Sequence, residues 1–411
     1  MDSSVQIGLQ HRTLVFTTAV AVVSDAVLIP FYPQLFREGF GVEDPNHVGL
    51  YLAATCLVVM FVLPIWAQLE KRIPTLALLV VAQGAAGLLA IGCYQTSSLN
   101  RFWLLSLGMI VFKASYLLVY PYLLRLQEKS KHLNTIGLLT VIVHLGAIAG
   151  ATVGGWVIES FGPRHGFLVM AGGDFLQMGV CVVLLARGAR PPQSETVAAE
   201  LAPARVRWAR VAKLATVMLT LYFGSFVLRP FFAAYWAMRS SVDSELLSGL
   251  VFSIPAWMSL ACLAYQHYRP RPPPILKSLS LCMVGLVFQG VPHVAAILLG
   301  LAIFGWSLFR AMVHLDALIF ETNPPEEYGW AFSQMNFFQQ LGALFGFYAA
   351  GTSVAAAGLV APFMVALAGF LLTALGYYVF FARGGERDDN GRHQADTPAD
   401  IDASQQATAT S

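Results

Sequence analysis

The chain has 411 residues, of which 57% are apolar and 12% charged, with 25 Lys and Arg set against 23 Asp and Glu for a formal net charge of +2. Soluble domains carry about 25% charged residues, so this composition excludes an ordinary soluble domain and points to an integral membrane protein embedded in a lipid bilayer. A bilayer core about 30 Å thick is crossed by roughly 20 apolar residues in a helix, and runs of that length recur throughout the sequence.

In chain order, twelve such runs predict membrane spans near residues 13–36, 47–68, 74–95, 101–125, 134–158, 164–186, 212–237, 246–268, 275–291, 293–320, 328–351 and 357–382. His11 and Arg12 precede the first, but that run is too long for the apolar region of a leader peptide and has no small-residue cleavage site before the next charge. It is expected to stay as the first helix. Its stretch VAVVSDAVLIPFYP (20–33) carries one ionisable group, Asp25, followed by Pro30 and Pro33. Lys113 lies near the middle of the fourth span, Asp174 in the sixth, Arg229 just before Pro230 in the seventh, and Arg310, His314 and Asp316 in the tenth. The ninth and tenth spans are separated only by GVPH. Cys56, Cys93, Cys181, Cys262 and Cys282 all fall inside spans without metal-ligand spacing, so they are read as small apolar residues. No metal, cofactor or nucleic-acid partner is expected.

Cytoplasmic loops retain Lys and Arg. Placing the N-terminus inside leaves only Arg37, Arg101, Arg164 and Arg239 outside and Lys113, Arg229 and Arg310 within the membrane, so the other eighteen of the 25 basic residues fall on the cytoplasmic side. Both termini are therefore expected to be cytoplasmic, together with the loop 187–211, the one sharp change of composition before the tail. That loop divides the chain into a six-helix bundle at 1–186 and another at 212–383. The tail, 384–411, lacks large apolar residues and is expected to be disordered.

The division also marks a duplication. VLIPFYP (27–33) matches VLRPFFA (227–233), and Gly49-Leu50 matches Gly249-Leu250; FKA (112–114) aligns with FRA (309–311), and HLGAIAGATVGG (144–155) with QLGALFGFYAAG (340–351). Four matches in one order at offsets of 196 to 200 imply that one half copies the other. Parallel halves related by an axis along the membrane normal place a substrate site at the midplane between them. The predicted fold is an all-α membrane protein of twelve helices in two pseudo-symmetric halves.

The fifth span resembles the antiporter signature of the major facilitator superfamily, G-x8-G-x3-G-P-x2-G-G. Gly137, Gly146, Gly150, Gly154 and Gly155 occupy every glycine position, and Ala151 replaces the proline. Glycines four apart share a helix face and let a neighbouring helix approach or slide. VSDAVLIPFYP is similar to the pattern closing the first helix of the twelve-helix exporters, with Pro30 and Pro33 in place and Ser24 standing for a glycine. The loop after the second span departs from the family pattern: in PIWAQLEKR (64–72), Gln68 replaces the acid, only the basic end survives, and Glu70 is left as a substitute charge. In the family this loop latches the cytoplasmic side. The resemblance covers residues 1–383 and implies alternating access, with the first and fourth helices lining a cavity.

Charges inside a membrane are functional by default, since each costs roughly 2.5–3.5 kcal/mol at a helix centre unless it faces the bundle interior or water. Asp25 and Lys113 can pair across the N-terminal cavity, either as a structural ion pair or as a proton-coupling pair in which Asp25 carries the proton. Arg310 occupies the repeat position of Lys113, and two opposed cations suit an anionic or zwitterionic substrate. His314 shares a helix face with Arg310 and can exchange a proton near neutral pH. Arg229 beside Pro230 mirrors Asp25 near Pro30, so a proline bend next to a charge forms a candidate gate in each half. Tyr116, Asn336 and Gln340 are candidate substrate contacts, with Tyr120, Tyr122 and Gln339 nearby. Asp174 is expected on an outer helix in a structural role, and Asp316 near the cytoplasmic end, paired with Arg269 or Arg271.

Three functions follow: a proton-coupled exporter of a small organic metabolite or drug, a proton symporter taking up an organic anion, or a membrane sensor that transports nothing. No H-E-x-x-H, G-x-S-x-G or G-x-x-x-x-G-K-[ST] occurs, so neither enzymatic activity nor ATP hydrolysis is expected. The compact loops and short termini suit a monomer of a bacterial inner membrane.

Overall fold

The computed structural model describes residues 3–126, 132–188, 208–242, 244–268, 274–322 and 328–382. Most of the loop 187–211, all of the tail 384–411, and Lys129, Lys131, Arg269 and Arg271 lie outside them. Among the described residues the protein is helical, with no strand.

The N-terminal half comprises α1 (Ser3–Ala26), α2 (Tyr32–Phe40), α3 (Pro45–Glu70), α4 (Thr75–Gln95), α5 (Leu99–Lys113), α6 (Val119–Arg125), α7 (His132–Phe161) and α8 (Gly166–Ala186). The C-terminal half comprises α9 (Trp208–Val227), α10 (Phe232–Ser240), α11 (Glu245–Phe252), α12 (Ile254–Tyr268), α13 (Ile275–Gly290), α14 (Val294–Thr322), α15 (Tyr328–Ala357) and α16 (Ala361–Tyr377), the last ending in a π-helical turn at Tyr378–Ala382. Joined across their short breaks, these helices follow the twelve predicted runs one for one. Among the described residues, nine are long and apolar enough to cross a membrane, and the bent pair α9–α10 makes a tenth. The other two are α13, which has only 16 residues, and α15, whose run is less apolar.

Local chemistry sets the breaks. Pro30 removes a backbone donor, so α1 stops at Ala26 and a 3-10 turn, Ile29–Phe31, leads into α2 with Pro33 in its first turn. Pro230 acts likewise, and α9 and α10 meet at 43°. Gly41 ends α2 at φ +68°, and the Asp44 carboxylate, accepting from the Asn46 N–H, then starts α3. The boundary predicted between residues 351 and 357 lies later, because α15 continues to Ala357 and turns at Gly358, φ +79°.

The packing repeats between the halves. α1 lies against α7 and α8 as α9 lies against α15 and α16, and α4 packs on α5 and α8 as α13 packs on α14 and α16. A Cβ on Gly146 would meet Val22 at 2.6 Å and one on Gly150 would meet the Val23 carbonyl at 2.6 Å; on Gly342 it would run into the Leu219 carbonyl, and on Gly346 it would meet the Phe223 carbonyl at 2.7 Å. Among the described residues the main contacts between the halves form two seams, α7 against α11–α12 and α15 against α3. Both are glycine contacts at the face opposite the termini: Gly155 on Glu245 and Leu246, and Gly351 on Pro45 and Gly49. There one buried apolar cluster runs from Val27, Phe31 and Phe36 to Val227, Phe231, Phe347 and Ala350, closing that face. Outward-facing side chains such as Leu104, Val81 and Phe61, each more than two thirds exposed, form the surface that lipid covers.

Candidate functional site

The densest charge in the membrane region sits where three passes of the N-terminal half meet. Lys113 is the last residue of α5, at which the helix tightens into a 3-10 turn, Ala114–Leu118, before α6 resumes the pass. Its ammonium lies 3.0 Å from Asp25 Oδ1 of α1 and donates a hydrogen bond of 2.5 Å to Asp174 Oδ1 of α8. The Asp25 contact is an ion pair without hydrogen-bond alignment. The Asp25 side chain is 26% exposed, whereas Lys113 is 5% and Asp174 0% exposed. The Tyr116 hydroxyl faces the Asp25 carboxylate, and Tyr120 and Tyr32 lie within its field. The expected juxtaposition of Asp25 and Lys113 is thus present.

Asp174, expected on an outer helix in a structural role, is fully buried and bonded to Lys113. Its carboxylate points inward, and the reason is Gly173: a Cβ there would meet Ser24 Oγ at 2.5 Å, so glycine lets α8 close on α1 one residue from Asp25. The signature glycines act on the same segment. Gly146, Gly150 and Gly154 lie in turn against Val22, the Val23 carbonyl with Ala26, and the Val27 carbonyl, so one face of α7 clamps the stretch of α1 that carries Asp25. Gly155 faces α11 instead, and Gly137 has open space around it.

The C-terminal cations are arranged differently. Arg229 lies in the break between α9 and α10, its guanidinium 3.9 Å over the Phe226 ring. Tyr222, His144 of α7 and Cys56 of α3 surround it, which places it at the seam between halves. Arg310 lies on unbroken α14 near Trp306 and Cys262, with a buried Nε that has no hydrogen-bond partner. Neither arginine has an ion-pair partner among the described residues. The repeat relation between Lys113 and Arg310 therefore extends to position and not to pairing, because the C-terminal half supplies no counterpart of Asp25 or Asp174: Val27 aligns with Val227, which places Ser225 opposite Asp25.

The remaining candidates scatter. The His314 ring packs edge-on against Tyr377 of α16, 6.3 Å away. Asn336 and Gln340 are half-buried on one face of α15, while Gln339 turns inward to the Met218 sulfur. Asp316 faces Gln339 and Tyr222, and its expected partners Arg269 and Arg271 lie outside the described residues. Glu70 accepts a hydrogen bond from the Thr75 hydroxyl at 2.7 Å, which ties it to the start of the next helix. His144, Tyr222 and Cys56 were not singled out by sequence, since their link is a cation distant in the chain. Among the described residues no cluster of His, Cys, Asp and Glu forms a metal site.

The family model of the Major Facilitator Superfamily matches residues 14–347. The chain belongs to the Major Facilitator Superfamily. Facilitator architecture also appears in its solved neighbours. A bacterial homologue of the human lysosomal transporter Spinster, in an inward-facing occupied conformation, superposes with a TM-score of 0.73 at 13% identity, over 91% of this chain and 96% of that one. The nucleoside transporter NupG, in a mutant form, gives 0.70 at 11% identity over 90% and 99% of the two chains. The human organic anion transporter MFSD10 gives 0.62 at 14% identity over 92% and 100%. Among curated sequences, the multi-drug resistance efflux pump PmrA of Streptococcus pneumoniae is 24% identical over 250 residues, 58% of this chain and 61% of PmrA. This facilitator is an integral membrane protein, and the chain spans about 61% of the length of the curated relative it matches.

Proposed function

We propose that this transporter is proton-coupled and exports a small organic anion or zwitterion. The observation that carries the coupling is the position of Asp25, an acid in the middle of the first pass that is partly exposed while its Lys113 partner is buried. A carboxylate whose surroundings alternate between wet and dry changes its proton affinity with each change, and alternating access supplies that change. The substrate's charge is read from Arg229 and Arg310, two membrane-embedded guanidinium groups without carboxylate partners among the described residues, a donor fork suited to carboxylate or phosphate. Lys113 enters the substrate site only through Asp25, because two carboxylates already hold its charge. The similarity to PmrA and the glycine face of α7 support export. We further infer a bacterial inner membrane with both termini cytoplasmic, from loop charge and compact loops, and a monomer.

The test is proton release from purified protein in weakly buffered detergent solution as small carboxylates, phosphate esters and amino acids are added in turn, wild type against Asp25→Asn. Release by the wild type that disappears in the variant is the expected result. A ligand that binds both proteins equally and releases no proton overturns the assignment of Asp25. A proton taken up with the ligand, instead of released, would favour uptake by symport.

A further inference from the structure

The two carboxylates that share Lys113 are not equivalent. Asp174 is fully buried and takes a hydrogen bond from the ammonium at 2.5 Å, while Asp25 is partly exposed and meets it at 3.0 Å out of alignment. Suppose Asp25 were the only partner. Its protonation would then leave Lys113 as a bare cation deep in the bundle, and uncompensated buried charge is strongly disfavoured. With Asp174 present the three charges sum to −1. A proton from the wetted side that binds an Asp25 oxygen abolishes the Asp25–Lys113 attraction and leaves a neutral, hydrogen-bonded Lys113–Asp174 pair.

We propose that Asp174 is a positioning residue for proton coupling, holding Lys113 through the whole cycle so that Asp25 alone takes up and releases the proton. This rests on the reading of Asp25 as the proton carrier. The groups that face Asp25 fit the assignment: Lys113, Tyr116 and Tyr120 from the fourth pass, Asp174 from α8 and Tyr32 from α2, while the glycines of α7 that meet this segment, Gly146, Gly150 and Gly154, carry no titratable group. Asp174 is the one other acid among them. Its place is built in through Gly173, which seats α8 on Ser24.

Infrared difference titration of protein reconstituted in liposomes tests this without a substrate, with the proton itself as the probe. Wild type should show protonated-carboxyl absorption that grows as pH falls, and the wild-type-minus-Asp25→Asn difference should isolate one titrating band that belongs to Asp25. In Asp174→Asn the band should persist with its midpoint moved about one pH unit or more toward acid, because Lys113 then serves Asp25 alone and a neighbouring negative charge is gone. Asp174→Glu, which keeps the charge, should titrate as wild type does. An unchanged midpoint in a folded Asp174→Asn protein overturns the proposal. If that variant does not fold, the wild-type-minus-Asp174→Glu difference decides: a titrating carboxyl band in it means that residue 174 itself takes the proton, and Asp174 is not a fixed partner. The reading of Asp25 fails separately, if Asp25→Asn leaves proton release by added ligand intact.

Discussion

Glu159 Oε2 accepts hydrogen bonds from Ser244 Oγ at 2.8 Å and from the Leu246 N–H at 2.9 Å, so a carboxylate near the end of α7 caps the first turn of α11 in the other half of the protein. Ser244 itself caps the same turn by accepting from the Leu247 N–H. On the second seam the repeat position of Glu159 is Ala355, and Asp44 caps its own helix. Among the described residues, one of the two seams on the closed face therefore carries a polar clasp that the other lacks. With spin labels at Glu43 and Val242, on the loops of that face, Glu159→Ala should lengthen and broaden the distance distribution, and Glu159→Asp should do so less. Superimposable distributions would mean that the glycine and apolar contacts hold the seam unaided.

The five signature glycines should not tolerate alanine equally. A Cβ at Gly154 runs into the Val27 carbonyl, which is backbone and cannot step aside, whereas Gly137 has nothing within 4 Å. Gly154→Ala is expected to destabilise by about 1–3 kcal/mol, the usual cost of overpacking. Gly137→Ala should be neutral or stabilise by up to about 1 kcal/mol through helix propensity. Thermal unfolding of the two purified variants in the same detergent gives the comparison, and equal melting points would refute it.

Lys113→Met leaves the buried Asp174 beside the partly exposed Asp25 without a cation, and removal of one partner from a buried pair costs about 3–5 kcal/mol. Adding Asp174→Asn to Lys113→Met should recover much of the loss, because the remaining acid is the partly exposed one. Chemical denaturation of the two variants measures it. A double variant less stable than Lys113→Met alone would show that Asp174 has a stabilising partner other than Lys113.

Arg229 should be intolerant even of lysine. Its planar guanidinium stacks on Phe226 at 3.9 Å, a contact that a point-charge ammonium does not reproduce. For any anion that releases protons from the wild type, Arg229→Gln should weaken binding about tenfold or more, from the roughly 1.5–3 kcal/mol of a charged hydrogen bond, and Arg229→Lys should recover only part. Calorimetric titration of the same anion into the three proteins measures it, and an unchanged affinity would remove Arg229 from the site.

Much of this architecture is determined by sequence alone, because bilayer thickness and backbone hydrogen bonding leave few ways to arrange twelve apolar runs. The duplication was visible as residue identities, and it returns as geometry: Gly155 on Glu245 and Gly351 on Pro45 are the same contact made twice. The proline breaks were legible as well, since Pro30 and Pro230 act on the chain locally. Asp25 and Lys113 stood out because a charge in an apolar run is costly wherever it points. Where each charge points is another matter. Sequence placed Asp174 on a peripheral helix and stopped there; its hydrogen bond to Lys113 joins residues 61 apart and depends on Gly173 seating α8 against Ser24. The same limit hid Glu159 from view, 85 residues before the Ser244 it holds, and it made Lys113 and Arg310 look like equals. One is clamped between two acids and the other has none among the described residues, because partners are chosen by how whole helices pack, and a local pattern of residues carries no record of that choice.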